Sequence, residues 1–440
     1  MVRLLELPYK VRDRHIFIPG TTGHGKSTLM HAMAYQDIKN GAGVCVIDPK
    51  GDLVKQLRHW IPKERVEDTV YLDLDTPIPH DFMSSASPDA KEALVGDLKY
   101  ILTRGESIEH APLMNAILED LIYTLLDANE DPRMPPDRRA TFIDIYNFLE
   151  DEERRTEILQ YVTNRRHKRR WLNDLPNPKD RRPVISRMTP FVNSKSLSKI
   201  LGTPSPKLNI ADFMNNRKIV LVDLAGVSES KMLYGALLIS RIQQAAFGRH
   251  GIPKEKRIPF YLYVDEFENF QTSSFHKIIS QARGYKLCLT VGCQYLDQLH
   301  VDVKAALFTV STYIIFAVSE KDSKQFKALI RPYEPDDLVT LPPFKALYLI
   351  DKRNPTIKRT PPPPPHTSEA GKISYAHEIK RNTLAKYGAS SAENGMKSPF
   401  EAQGCTAEQT ITPLMDDEIE PTTGAIKEVP SHGRKDKGAP

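Results

Sequence analysis

Eight residues near the amino terminus, Gly20-Thr21-Thr22-Gly23-His24-Gly25-Lys26-Ser27, satisfy the pattern G-x-x-x-x-G-K-[ST] in full. Such a loop works only between a strand whose tip it caps and a helix whose first turn it opens. Its glycines let the backbone curl around a phosphate chain with the N–H groups pointing inward. The helix that follows presents the positive end of its dipole to the same anion. Both flanks agree with this setting. His15-Ile16-Phe17-Ile18 reads as a short strand, and Leu29, Met30, Met33 and Ile38 recur at helical spacing. The expected phosphate cradle is therefore Gly20, Thr21, Thr22, Gly23, His24, Gly25, Lys26, Ser27 and Thr28. Lys26 would reach the β- and γ-phosphates of ATP, and the Ser27 hydroxyl would ligate Mg²⁺. The bland alternative is a glycine-rich surface loop with an incidental lysine.

The rest of the chain supports an α/β reading. Val44–Asp48 is a near-continuous apolar run, as expected of a strand covered on both faces, and Thr69–Leu72 resembles it. From about residue 205 the pattern resumes with Ile219–Asp223, Phe260–Asp265, Leu287–Val291, Tyr313–Val318 and Ala346–Ile350, mostly separated by helical stretches. Strands alternating with helices predict a mainly parallel sheet. Between these two parts strand signals thin out. Leu113, Ile117, Leu118, Leu121, Ile122 and Leu125 trace one helical stripe, and Thr141–Leu149 and Glu157–Val162 read as further helices. The expected organisation is a nucleotide-binding core in two parts, 10–87 and 205–353, around an all-helical insertion at 88–204. After about Asn354 comes a proline run, Pro361–Pro365, and a polar remainder. Residues 354–440 are expected to be a disordered tail, because such a composition buries too little apolar surface to offset its ordering entropy.

A phosphate-cleaving site needs a carboxylate at a neighbouring strand tip to hold the metal ion through water. Asp223 and Asp265 both end apolar strands. Only Asp265 is followed by a second acid, Glu266, able to polarise an attacking water. Asp265 is thus the expected metal-side acid and Glu266 the general base, with Asp223 serving its own turn. The strand Val44–Asp48 is expected to lie between the P-loop strand and the Asp265 strand. Gln294 ends the next strand, where it would sense the γ-phosphate or merely cap a turn. Arg283 stands eleven residues before Gln294, near a helix end. It reads equally as a finger onto a neighbour's nucleotide or as an exposed arginine favoured by the helix dipole. Arg187 is a second finger candidate.

Composition narrows the partners. Apolar residues make up 40% and charged residues 27%, which fits a soluble globular protein, and a net charge of +5 over 440 residues leaves any nucleic-acid contact to local patches. The most basic window is Arg165–Arg170, followed by Trp171, which would stack on a base or simply end a solvated helix. Cys45, Cys288, Cys293 and Cys405 form no CxxC pair, so no zinc site is expected, and so few thiols suit a reducing cytosol. No apolar run approaches the roughly 20 residues needed to span a bilayer.

Three blocks carry a resemblance to a known class. Ile47-Asp48-Pro49-Lys50-Gly51-Asp52-Leu53 resembles the DPKGDL signature of HerA–FtsK ATPases. Val264-Asp265-Glu266-Phe267-Glu268-Asn269-Phe270 resembles the acidic-strand motif of that class. Ser280 to Leu287 together with Gln294 to Leu299 is similar to a block of the TraD/TraG-type coupling proteins of type IV secretion. The resemblance covers about residues 10–350. It implies a RecA-like P-loop ATPase forming a hexameric ring, with DNA in the pore and ATP between subunits. It implies Lys26 and Ser27 on phosphate and Mg²⁺, Asp265 and Glu266 as the acid pair, Gln294 as sensor and Arg283 as the trans finger. Relatives begin with membrane helices or a small β-barrel. Here the P-loop opens at Gly20, so the expectation is a cytoplasmic bacterial motor, recruited to the inner membrane by a relaxosome, secretion-channel or nuclease partner if at all. The leading expectation is a DNA translocase for conjugative transfer. The alternatives are a HerA-like helicase or translocase in repair or defence, an ATP-switched recruiter of protein cargo, and an inactive fragment.

Overall fold

The computed structural model describes residues 7, 9–85, 88–103, 112–226, 229–272, 275–362 and 373–388. Nine strands appear in it: β1 Ile16–Pro19, β2 Gly43–Asp48, β3 Thr69–Leu72, β4 Ile219–Asp223, β5 Phe260–Val264, β6 Leu287–Cys293, β7 Thr312–Ile315, β8 Lys345–Ile350 and β9 Arg353–Arg359. They form one sheet in the order β3-β4-β2-β5-β6-β1-β7-β8-β9. The first seven in that order pair in parallel, and β8 and β9 add antiparallel. The mainly parallel sheet is the one that strand–helix alternation predicts, and the RecA-like α/β fold is the one that the resemblance implies.

Side-chain alternation along the strands splits the core into two layers. Val44 and Val46 of β2 join Ile16, Ile18, Leu29, Met30 and Ile38 on one face. Cys45 and Ile47 join Val220, Val222, Leu262 and Leu237 on the other. Helix Lys26–Lys39 covers the first face and helix Glu229–Phe247 the second, which is why both faces of β2 are buried. Parallel strands with helical crossovers all point the same way. Every loop that leaves a strand tip for a helix therefore opens on one edge.

One expectation about strand order is corrected. The strand between the P-loop strand β1 and the acid strand β5 is β6, not β2, which lies on the far side of β5. An intervening strand is present, as the RecA-like branch requires, but it is the one that ends at Cys293, just before Gln294. All three strands are equally apolar, so burial could not rank them. Their order is decided by the crossovers.

Between β3 and β4 the described residues form helices, among them Pro112–Glu130, Asp144–Glu150, Glu152–Tyr161, Arg165–Asn173, Pro178–Asn193 and Lys195–Gly202. Several starts are set by side-chain caps. Asp151, Asn164, Asn177 and Ser194 each accept hydrogen bonds from backbone N–H groups of the first turn. Leu118, Leu121, Ile122 and Leu125 pack with Phe148, Met188 and Phe191 in the same buried layer.

Trp171 belongs to that layer too, which corrects its candidacy as a base-stacking residue. It is 2% exposed, its indole N–H donates to Thr124 Oγ1 at 2.8 Å, and its ring lies edge-on to Phe148. Amphipathicity explains this: the helix turns Arg165, Arg166 and Arg169 to solvent and Trp171 inward.

The boundary of the tail at 354 is also corrected. β9 returns along β8 through Asp351-Lys352, both at positive φ as a type I′ turn requires. Further on, helix Ala376–Tyr387 packs on β3. There Thr383 Oγ1 accepts from Tyr71 N, and Lys380 pairs with Asp73. Residues 389–440 and Pro363–Pro365 of the proline run lie outside the described residues.

Candidate functional site

The P-loop grows directly from β1. Pro19 pairs with Cys293 of β6, Gly20 N donates to Cys293 O at 3.0 Å, and Thr21 N donates to Ala317 O at 2.7 Å. Lys26 is the first residue of the following helix. Its ammonium is buried and donates to the loop's own carbonyls, Gly20 O at 2.5 Å and Thr21 O at 3.1 Å. Burial pushes its pKa down, and the nearby Asp265, Glu268 and Glu266 oppose that shift.

The acids arrive from the neighbouring strands. β5 lies beside β2 with Val264 opposite Ile47, and Asp265 N donates to Ile47 O at 3.1 Å. Asp265 crosses the tip of β6 to the P-loop, where Ser27 Oγ donates to its Oδ2 at 2.5 Å. Gly292 of β6 permits the crossing, since a Cβ there would stand 2.7 Å from Asp265 Oδ1. Glu266 has a left-handed backbone at φ 46°, uncommon for a side chain of this size, and its N–H donates to Asp265 Oδ1 at 2.9 Å. Gln294 lies at the tip of β6 and bridges the two halves of the site. Thr22 Oγ1 donates to its Oε1 at 2.9 Å, and its own Nε2 donates to Glu266 Oε1. Its backbone N–H donates to Glu268 Oε1 at 3.0 Å.

The turn after β2 completes the edge. Asp48 accepts from Lys50 N at 3.0 Å, Leu53 N at 2.8 Å and Val54 N at 3.3 Å, and so opens helix Asp52–His59. Burial, then the Asp265 charge, raise its pKa to about 6. Gly51 has φ 81°, and a Cβ there would collide with Asp223 Oδ1. Lys50 reaches across the turn to pair with Glu266 Oε1. Asp223 is engaged elsewhere: Tyr71 OH donates to its Oδ2 at 2.6 Å, and Ala225 N donates to its Oδ1 at 2.9 Å.

Lys26, Ser27, Asp265, Glu266 and Gln294 thus stand on one edge of the sheet. Arg283 does not join them. It precedes β6, whose seven residues carry the chain about 20 Å to Gln294. There Arg283, about half exposed, pairs with Asp13 at 3.2 Å. Arg187 lies on helix Pro178–Asn193. Lys50 and Glu268 have no role legible in the sequence beyond their motifs. A lysine two residues past a strand tip becomes conspicuous only when the neighbouring strand is known to carry the acids.

The fold is shared with proteins of solved structure. The bacterial conjugative coupling protein TrwBdeltaN70, in an unbound form, superposes with a TM-score of 0.59 at 16% identity, over 81% of this chain and 87% of that one. The plasmid coupling protein TrwB in complex with ADP and Mg²⁺ gives 0.55 at 17% identity, over 81% and 87%. VirB4 of Thermoanaerobacter pseudethanolicus gives 0.53 at 17% identity, over 79% and 90%. No curated protein matches the sequence. The family described as "Helicase HerA, central domain" matches residues 7–242, more than half of the 440, and the chain belongs to that family.

Proposed function

We propose that this chain is an ATP-driven DNA translocase of the coupling-protein kind. The observation that carries the reading is the hydrogen bond from Ser27 Oγ to Asp265 Oδ2, which joins the P-loop to the acid strand at one point. A hydroxyl and a carboxylate oxygen 2.5 Å apart form a hard-oxygen pair suited to Mg²⁺, which takes its remaining ligands from phosphate and water. Ser27 would hold the ion directly and Asp265 through water. When bound, the ion supplies neutralisation of the phosphate charge. The coupling protein TrwB has been solved with the non-hydrolysable analogue ADPNP, and with ADP and Mg²⁺.

The chain's own groups do the rest. The backbone N–H groups of Gly20 to Thr28 cradle the phosphates. Lys26 exchanges its two carbonyl partners for β- and γ-phosphate oxygens. Glu266 takes a proton from a water whose oxygen bonds to the γ-phosphorus, while the bond from that phosphorus to the β–γ bridging oxygen breaks. ADP and inorganic phosphate leave. Gln294, already linked to Thr22 and Glu266, reports the γ-phosphate to the rest of the sheet.

Arg283 stands too far from its own chain's site to serve it. As a finger it would serve a neighbour, which is the argument for a homo-oligomeric ring, hexameric by analogy. DNA is the cargo we assign, by likeness to conjugative coupling proteins and on the exposed Arg165, Arg166 and Arg169. No helix among the described residues is long and apolar enough to cross a membrane. Cytoplasmic work, with any inner-membrane contact supplied by a relaxosome, secretion-channel or nuclease partner, is part of the proposal. The family's own description, a helicase, favours a second reading: the same motor acting in repair or defence.

The test is ATPase rate with and without single- and double-stranded DNA. We expect stimulation by one of them. We also expect that Arg283→Ala subunits, inactive alone, regain turnover when mixed with Lys26→Ala subunits, because each then supplies what the other lacks. Turnover indifferent to DNA but raised by a protein cargo would replace the motor with a recruiter.

A further inference from the structure

Among the described residues, Lys50 is the one lysine beside Lys26 that reaches the acid cluster, and the proposed hydrolysis leaves it without a task. Its place is built rather than incidental. The Asp48 carboxylate holds the Lys50 N–H, and its second oxygen binds the N–H groups of Leu53 and Val54. Gly51 supplies the left-handed residue that lets the turn close against Asp223. The pairing of β2 with β5, Ile47 opposite Val264, then sets the turn beside Glu266. From there the Lys50 ammonium pairs with Glu266 Oε1, the same oxygen that accepts from Gln294 Nε2.

We propose that Lys50 is a positioning residue for Glu266, holding its carboxylate against Gln294 in the geometry from which a water is deprotonated. Three features of the contact mark a function rather than surface pairing. Glu266 stands on a left-handed backbone that nothing but its surroundings maintains, and its backbone N–H is fixed by Asp265. Two donors from two different strand tips converge on one oxygen, which fixes the carboxylate's direction more tightly than either alone. The second of them, Gln294, is tied through its Oε1 to Thr22 of the P-loop. A chain of contacts therefore runs from the loop expected to hold phosphate, through Gln294 and Glu266, to Lys50. A lysine binding the phosphates directly would not need Glu266 in order to act; a lysine acting through Glu266 would.

This inference rests on Glu266 as the proposed base, so the experiment separates the two. Steady-state ATPase kinetics and binding of a fluorescent ATP analogue are measured for wild type, Lys50→Met, Lys50→Arg, Glu266→Gln and the Lys50→Met/Glu266→Gln pair. Lys50→Met is expected to lower kcat about 10- to 100-fold, as a misplaced base does, with KM and analogue affinity within about twofold of wild type. Lys50→Arg is expected to recover most of the loss. In the Glu266→Gln background, Lys50→Met is expected to cost nothing more. A raised KM with unchanged kcat would overturn the proposal and make Lys50 a phosphate ligand. A loss in the paired variant that adds to that of Glu266→Gln would overturn it too, as would Lys50→Met turning over like wild type. Should Glu266→Gln itself hydrolyse ATP normally, the base assignment fails, whatever Lys50 does.

Discussion

At the functional edge two glycines leave the space that neighbouring carboxylates occupy. Asp265 reaches Ser27 because Gly292 leaves room, and the Asp48 turn closes because Gly51 sits at φ 81° against Asp223. A side chain at Gly51 meets both objections, strain and collision. Gly51→Ala is therefore expected to destabilise the fold by about 1–3 kcal/mol, read as a lowered denaturant midpoint at unchanged slope. A midpoint equal to wild type would mean the turn relaxes freely. At this scale the sequence was most informative where chemistry demands a contiguous motif. Gly20 to Ser27 and Asp265-Glu266 could be picked out because each is local in the chain. Lys50 could not, because its meaning depends on a strand more than two hundred residues away. Nor could the Thr22–Gln294–Glu266 links, which form only after three strand tips align.

Secondary elements were legible in proportion to their apolar pattern. The parallel strands announce themselves because both faces are buried. β9 did not, since Arg353-Asn354-Pro355-Thr356-Ile357-Lys358-Arg359 is an edge strand exposed along most of its length, and a proline is tolerated there. It forms because β8 offers it an edge. The basic helix Arg165–Asn173 hides its core residue in a different way. Its charges are contiguous along the chain, whereas the helix sorts them by face and turns Trp171 into the core. Trp171→Ala is expected to cost about 3–5 kcal/mol, through the lost packing on Phe148 and the lost indole hydrogen bond to Thr124, whose hydroxyl still donates to Asp120 O. Chemical denaturation measures it. A change under about 1 kcal/mol, with weakened DNA binding in its place, would return Trp171 to the DNA surface.

Across the whole molecule, three buried imidazoles give stability a pH dependence that outweighs the opposite contribution of Asp48, whose pKa is raised to about 6. His15, His31 and His80 are buried, and burial pushes each pKa from the ordinary 6.5 down to about 4. Between those values the unfolded chain binds protons that the folded one refuses, so stability rises with pH across the window and is lost as pH falls through it. Melting temperature is expected to drop between about pH 7 and pH 5, and His31→Leu is expected to flatten that slope. An unchanged slope would mean that these imidazoles stay solvated in the fold. The order of the strands, by contrast, was the least legible property at this scale. Several equally apolar strands fit the same sheet, and only the crossovers decide that β6 separates β1 from β5.

The proposed hydrolysis requires the P-loop and the acids that follow β5 to serve one triphosphate. Binding of a fluorescent ATP analogue, measured beside turnover in wild type, Lys26→Ala and Glu266→Gln, tests it most directly. The expected result is that Lys26→Ala neither binds nor hydrolyses, while Glu266→Gln binds as wild type does and fails to hydrolyse. Hydrolysis by Glu266→Gln at the wild-type rate, or undiminished binding and turnover in Lys26→Ala, would contradict it.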